Sequence, residues 1–359
     1  METFSGYTLI SKELDLPFDT SGYNIIPKTY PFGSEPVLIE TGYKGFIPNK
    51  HTTNLKAVNI PTHYTEDLCK FIGYFVANGS YGENHINFCT LDKGIVEDYI
   101  RITKSVFGVD VETRSYGSKV VNYVISSVVI KDFLVNTVFK GKHTARFKIV
   151  PEGIRKSSKR CIRSFLLGLL DCDSYLERKY SFIFNTASDN VAKFIHEVLL
   201  GFGIVSNLRP FNGVKGYEDH TYWDVRVAGK YIYKLYSNVF GEDSLVYKNF
   251  PEERKVNTNF DFIPNLNTWL DNEIKVIRRH LNVLPNGVFK EGGANNRFKI
   301  SSGFKIELDK NTTYEFVDKV LNRWQQLPQN QRKMVNHIEK VLLYIKENDC
   351  YFDKIISDQ

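Results

Sequence analysis

A chain of 359 residues with 42% hydrophobic content is a globular protein, long enough to bury a large core and to divide into two or three domains. Its formal net charge of +6 is modest, so where the basic residues fall says more than their sum. Five cysteines (Cys69, Cys89, Cys161, Cys172, Cys350) show no CxxC or Cys/His ligand spacing, which argues against a disulfide framework and a structural zinc.

The opening METFSGYTLISKELDL has no basic stretch followed by a long apolar one, and no run approaches the roughly 18 apolar residues of a membrane span. The expectation is a soluble, intracellular protein without a membrane partner. Frequent Asn, Lys, Ile, Tyr and Phe suggest an AT-rich source such as a phage or organellar genome.

Residues 1–62 carry six prolines and five glycines between short β-prone pieces such as PVLIET, and read as an extension of irregular and short-stranded structure. Thr65 then offers an N-cap, with Glu66 and Asp67 in the first turn of a helix running to about Ala77. That helix is apolar nearly all round, so it must be buried on two sides.

Its end, FIGYFVANGSY, reappears about ninety-five residues later as LLGLLDCDSY. Each copy is an apolar helical run with a glycine four residues before a small residue, Gly73 with Ala77 and Gly168 with Cys172. The copies end in Asn78 and Asp173.

The elements after each of these helices repeat as well. After Asn78 come a strand ending HINFCT, a helix from about residue 92 to 107, and the strand-like VDVETR and VVNYVISS. After Asp173 come SFIFNT, a helix over 189–202, and the strand-like IVSNLR and YWDVRVAG. Helices over about 129–139 and 230–240 close the copies, and a second shared signature comes next, KIVPE (148–152) and KNFPE (248–252). Each copy reads α-β-β-α-β-β-α. This divides the chain into an extension over 1–62, a first repeat over 63–150, a second over 151–254, and a C-terminal α/β accessory domain over 255–359. In the last, helices near 266–281, from Thr312 and from Asn330 flank a hairpin around RFKISSGFKIEL.

Small residues four apart let two helix backbones approach closely. If the two motif helices cross on a pseudo-two-fold axis, Asn78 and Asp173 emerge side by side. Adjacent oxygen-bearing side chains at helix C-termini suit a hard divalent cation. Asp171 points about 200° from Asp173 on the helix, is matched only by Val76 in the first copy, and is expected to be structural. The run from Lys140 to Arg163 holds nine basic residues opposed only by Glu152. As an isolated charge run it would be a solvated face.

The two motifs, the KIVPEGIRKSSKRCIRSFLLGLLDCD approach to the second, and its FNTASDN continuation resemble the LAGLIDADG homing endonucleases, particularly the two-motif, single-chain, intein-type members, over about residues 63–252. The resemblance implies an α+β fold in which tandem αββαββα LAGLIDADG domains form a pseudosymmetric DNA-binding saddle. It implies a monomeric, site-specific nuclease that cuts long double-stranded DNA with Mg²⁺ or Mn²⁺ and no organic cofactor, as part of a mobile intron or intein.

By the same resemblance, Asp173 and Asn78 are the catalytic metal ligands, assisted by backbone carbonyls near Ala77 and Cys172. Lys148 and Lys248, each three residues before a proline, stabilise developing charge or position water. Lys140, Lys142, Arg146, Arg155 and Lys156 are backbone contacts, and Arg114, Lys119, Asn185, Arg209 and Arg226 are candidates to face bases.

Asn78 departs from the family pattern, where an acid is usual. Reduced metal affinity, nicking of one strand, and DNA binding without catalysis all arise as alternatives, as does an RNA maturase acting on intron RNA. Self-splicing finds no support, because the sequence starts at Met1 and ends Ser357-Asp358-Gln359 without an intein's terminal residues.

Overall fold

The computed structural model describes residues 16–17, 23–27, 30–33, 37–39, 57–116, 120–141, 144–177, 181–212, 220–247, 266, 269, 272–273, 322, 329–348 and 350–354. It divides into two compact units, one made of Thr29–Lys255 and the other of Met1–Lys28 with Val256–Gln359.

In the second of these, strand β1 (Tyr23–Pro27) pairs antiparallel with the last strand, β10 (Cys350–Lys354). The helix preceding β10 spans Gln329–Glu347, near the start expected at Asn330. Val335, Ile338, Leu342 and Ile345 are its buried stripe, at the spacing of one helical face. The expected hairpin around RFKISSGFKIEL and the helix from Thr312 lie outside the described residues.

The unit Thr29–Lys255 contains the repeats. Helix α1 (Glu66–Asn78) starts where expected, with the Thr65 hydroxyl accepting from the Leu68 N–H at 3.3 Å. Strands β2 (Gly79–Tyr81) and β3 (Ile86–Cys89), helix α2 (Lys93–Phe107, capped by Asp92), and strands β4 (Glu112–Tyr116) and β5 (Val120–Ile125) come next. Helix α3 (Val128–Phe133) then widens into a π-helical stretch over Leu134–Val138.

After a short helix, α4 (Glu152–Arg155), the order recurs: α5 (Lys159–Asp173), β6 (Ser174–Glu177), β7 (Ser181–Thr186), α6 (Asp189–Gly201), β8 (Asn207–Phe211), β9 (Tyr222–Ala228) and α7 (Tyr231–Leu235). The last of these also widens into π-helical turns, over Tyr236–Phe240. The sheets have matching antiparallel orders, β2-β3-β5-β4 and β6-β7-β9-β8. The fold is α+β, with two four-stranded antiparallel sheets and the repeat read from the sequence.

Each sheet turns one face to its helices. Phe88 of β3 stacks on Tyr99 of α2 with ring centroids 4.4 Å apart, and Phe182 and Phe184 of β7 are buried together with Val225 and Val227 of β9. The core is continuous across the repeats because α1 and α5 pack on one another along their lengths. Where they cross, a Cβ on Gly73 would collide with the Phe165 carbonyl oxygen and stand 2.9 Å from the Leu169 nitrogen, while one on Gly168 would collide with the Lys70 carbonyl oxygen. Glycine at both positions is therefore a steric requirement of the crossing.

Part of the N-terminal segment belongs to this unit. Tyr30 donates its hydroxyl proton to the Arg155 carbonyl at 3.0 Å, and Gly33 donates its N–H to the Ser157 carbonyl at 3.0 Å. No helix among the described residues is long and apolar enough to cross a membrane.

Candidate metal centre at the paired helix ends

The α1–α5 crossing fixes where the two helices end, and Asn78 and Asp173 are their last residues. Both are half-buried. Burial pushes the Asp173 carboxyl up to about 6, against the pull of the Lys148 ammonium. Burial also moves Lys148 down, while Asp173 acts in the opposite sense. Two opposite charges therefore share a partly desolvated place, with desolvation the larger influence on each.

Lys148 is held at both ends. Its ammonium donates to the carbonyls of Val76 and Ala77, each at 2.6 Å. These lie in the last turn of α1, where carbonyls lack intrahelical partners and carry partial negative charge. Its own carbonyl accepts from the Ser188 hydroxyl at 2.6 Å, and the Val150 N–H donates to the Asn190 side-chain oxygen at 2.9 Å. Ser188 caps α6, so Lys148 joins the N-terminus of a helix in the second repeat to the C-terminus of the motif helix in the first.

Its counterpart, Lys248, lies outside the described residues, but the segment leading to it is anchored. Asp171, 4% exposed, accepts from the Ser244 hydroxyl at 2.6 Å and the Leu245 N–H at 3.0 Å. Tyr247 donates its hydroxyl proton to the Ser174 carbonyl at 2.8 Å. Burial pushes the Asp171 carboxyl up, and these hydrogen bonds pull it back. Asp171 is structural, as its helical direction implies. The anchoring role of Ser244 and Tyr247 has no signal in the sequence beyond their place just before Lys248.

A divalent cation would find hard oxygen donors here: one carboxylate, one carboxamide and helix-end carbonyls. This set suits a single hard divalent ion completed by water. Among the described residues no three His, Cys, Asp or Glu side chains converge, so the protein offers no complete cage there. The Ala77 carbonyl already accepts from Lys148. Cys172 immediately precedes Asp173, with its thiol pushed well up by burial; a backbone contribution there would come from its carbonyl.

The basic run divides into residues used internally and residues facing out. Arg155, expected to touch DNA, is 8% exposed. It donates to the Asn190 side-chain oxygen at 2.9 Å and lies 4.9 Å from the centroid of the Phe194 ring. Its guanidinium is thus engaged inside the unit by an amide oxygen and an aromatic ring. Lys159 lies over the Phe202 ring at 4.9 Å, and Arg163 pairs with Asp243 at 2.6 Å. Lys140, Arg146 and Lys156 are exposed. Lys140 has a left-handed φ of 51°, Arg146 contacts His220, and Lys156 pairs with Glu152 at 3.1 Å. Lys142 and Lys119 lie outside the described residues.

The strand register decides which candidates share a face. Arg226 stands opposite Ile183 and Asn207, and Asp224 opposite Asn185 and Arg209. Side chains alternate along a strand, so Asn185, Arg209 and Arg226 lie together, away from the face formed by Phe182, Phe184, Val225 and Val227. Arg114 lies opposite Asn122, and Asn122 opposite Cys89, on the corresponding face of the first sheet.

These arginines have acidic neighbours: Arg226 pairs with Glu177 at 3.0 Å and Arg114 with Glu112 at 2.7 Å. Partial burial pushes Asp224 up, opposed by Arg226 and Arg209. The face is a mixed surface of arginine, carboxylate and amide, with hydrogen-bonding groups of both polarities.

Residues 160–239 match a family model described as a LAGLIDADG-like domain. The second repeat thus matches the family that its motif resembles. The replication factor C small subunit of Methanocaldococcus jannaschii is 23% identical over 304 residues, covering 79% of this chain and 16% of that protein. The A subunit of the A-type ATP synthase of Pyrococcus abyssi is 23% identical over 176 residues, 49% of this chain and 17% of that protein. The chain spans less than a fifth of the length of these two relatives.

Among solved structures, the homing endonuclease I-DmoI in complex with DNA and Mn aligns with a TM-score of 0.37 and 10% identity, covering 50% of this chain and 98% of that one. Full-length WhiA from Thermatoga maritima aligns with a TM-score of 0.34 and 12% identity, covering 81% and 95%.

Proposed function

We propose that the chain is a site-specific DNA endonuclease of the LAGLIDADG type, acting as a monomer on a long double-stranded target with a divalent metal ion. The observation that carries the reading is Lys148 held on the carbonyls at the end of α1, the helix that crosses the motif helix ending in Asp173, in a unit whose two sheets have the same strand order. The matched segment also recurs as a minor part of proteins with unrelated names, as a self-contained mobile element would.

In this reading the sheet faces carrying Arg114 and Asn185, Arg209 and Arg226 lie along the major groove. Lys140, Arg146 and Lys156 add salt-dependent contacts to phosphates. A divalent ion, when bound, polarises the phosphate and eases ionisation of a bound water. With its carboxyl at about 6, Asp173 is mostly ionised at neutral pH and able to ligate, while Asn78 contributes a neutral oxygen. Lys148, fixed on the α1 carbonyls, places positive charge where negative charge develops on the phosphate.

The second reading is a DNA-binding protein without cleavage, or a maturase acting on intron RNA. The observation favouring it is Asn78, which leaves one carboxylate at the paired ends.

The test is cleavage, with Mg²⁺, of a supercoiled plasmid bearing the uninterrupted insertion locus. Wild type should give nicked or linear product and Asp173→Asn none. If only Asn78→Asp cuts, the binding reading replaces the nuclease.

A further inference from the structure

We propose that the Lys148 ammonium is a built-in cation at the end of α1, occupying the carbonyl oxygens a divalent ion would otherwise use, so that this unit takes one divalent ion, at Asp173. The inference rests on the nuclease reading and makes its two half-sites chemically unequal.

The contacts are those of a cation site. Two consecutive carbonyls, Val76 and Ala77, converge on the nitrogen at 2.6 Å each, short even for a charge-assisted bond. The end of a helix supplies them with partial negative charge. Nothing here depends on a mobile side chain finding the place by chance. Ser188 clamps the Lys148 carbonyl at 2.6 Å, and Asn190 holds the N–H of Val150 at 2.9 Å while also accepting from Arg155 at 2.9 Å. The lysine stem therefore starts from a backbone fixed by the second repeat and ends on the first.

Charge distinguishes the two helix ends. At α1 the terminal side chain is the neutral Asn78, so carbonyl oxygens alone would have to hold a divalent ion. A single tethered positive charge suits them, and it repels a second cation brought to the same oxygens. At α5 the terminal side chain is Asp173, an anion when ionised, which is the donor a hard divalent ion requires. Among the described residues, the lysine-filled carbonyls are those of α1, the helix that ends in the neutral Asn78.

The experiment counts Mn²⁺ ions bound to the full chain by electron paramagnetic resonance and isothermal titration, without reference to cleavage. The variants are Asn78→Asp, Lys148→Met, the double variant, and Asp173→Asn. Wild type should bind one ion, and Asp173→Asn should lose it. Asn78→Asp alone should change affinity less than threefold, because its new carboxylate meets the resident ammonium. The double variant should bind a second ion or tighten binding at least tenfold.

The proposal is overturned if Asn78→Asp alone gains a second ion, or if the double variant binds no more than Asn78→Asp. Should Lys148→Met fail to fold, Lys148→Gln keeps a donor to the carbonyls without the charge and is expected to weaken exclusion in the same direction. A wild type that binds one ion at Asp173 and cuts no DNA would sink the nuclease reading and leave this inference standing.

Discussion

Gly73 and Gly168 lie back to back where α1 crosses α5, each so close to the other helix that a β-carbon would collide with a backbone carbonyl oxygen. The obstacle is main chain on both sides, and it cannot swing away as a side-chain tip could. Gly73→Ala should force the helices apart and cost about 3 kcal/mol, near the upper end for overpacking. Urea denaturation measures this. A loss below about 0.5 kcal/mol would mean that the crossing has slack to absorb a methyl group.

Asp171 is the anchor of the segment leading to Lys248. In Asp171→Ala the buried Ser244 hydroxyl and the Leu245 N–H lose their acceptor, which should lower stability by about 2–3 kcal/mol. If the nuclease reading holds, cleavage should fall further than the loss of folded protein explains, because the approach to Lys248 is released. Comparison of activity per folded molecule with the wild type separates the two effects.

Glu177 restrains Arg226 on the exposed face of the second sheet, at 3.0 Å. Removing the carboxylate's charge in Glu177→Gln should free the guanidinium for phosphates, raising affinity for arbitrary duplexes. It should also steepen the dependence of log affinity on log salt by about one ion. Arg226→Ala should act in the opposite sense. Fluorescence anisotropy across a salt series reads both, and unchanged slopes would remove Arg226 from the interface.

His196 is held neutral by burial, which lowers its ring to about 4, and it shares a hydrogen bond with Ser206 at 2.9 Å. In the unfolded chain it would take a proton near 6.5. The folded state therefore binds fewer protons between these values, and stability present above about 6.5 is lost as pH falls toward 4. The ring keeps some accessible surface, so the loss by pH 5 should be about 1 kcal/mol. His196→Gln should flatten that part of the stability profile.

Asp173 has the opposite sign. Its carboxyl is raised to about 6 from 3.8, so the folded state favours the proton, and the stability this gives at low pH is lost as pH rises through about 6. Asp173→Asn should be more stable than wild type at pH 7.5, by about 1–2 kcal/mol after allowing for partial exposure, and equal to it near pH 3.5. A site kept at a cost in stability is the expected signature of a functional acid. An equal or less stable variant at pH 7.5 would refute the assignment of the strain to Asp173.

Local chemistry made much of the repeat unit legible in sequence. Thr65 before Glu66 and Asp67 places a helix start within a residue, because an N-cap and an acidic first turn satisfy the same free N–H groups. The recurrence of FIGYFVANGSY as LLGLLDCDSY brings Asn78 and Asp173 to equivalent helix ends. Arg155 shows where such reading stops. A run of basic residues has the same composition whether its members face water or stack on a ring, and only the packing against Phe194 and Asn190 separates Arg155 from exposed Lys156. The attachment of Lys148 to Val76 and Ala77 is equally hidden, since a contact across about seventy residues depends on the path of the chain rather than on neighbours in sequence. The same holds for the sheet faces: a one-residue change in register would move Arg226 to the helix side.

The pairing of Tyr23–Pro27 with Cys350–Lys354 also sets an order of events during synthesis. A ribosome adding on the order of 5–20 residues per second completes the first of these strands tens of seconds before its partner exists. In that interval the whole of Thr29–Lys255 is made and can fold as one continuous stretch, while the early strand waits with its hydrogen-bonding edge open. An edge left open during translation can pair with other nascent chains, so delaying the last strand lengthens the interval in which Tyr23–Pro27 lacks this partner.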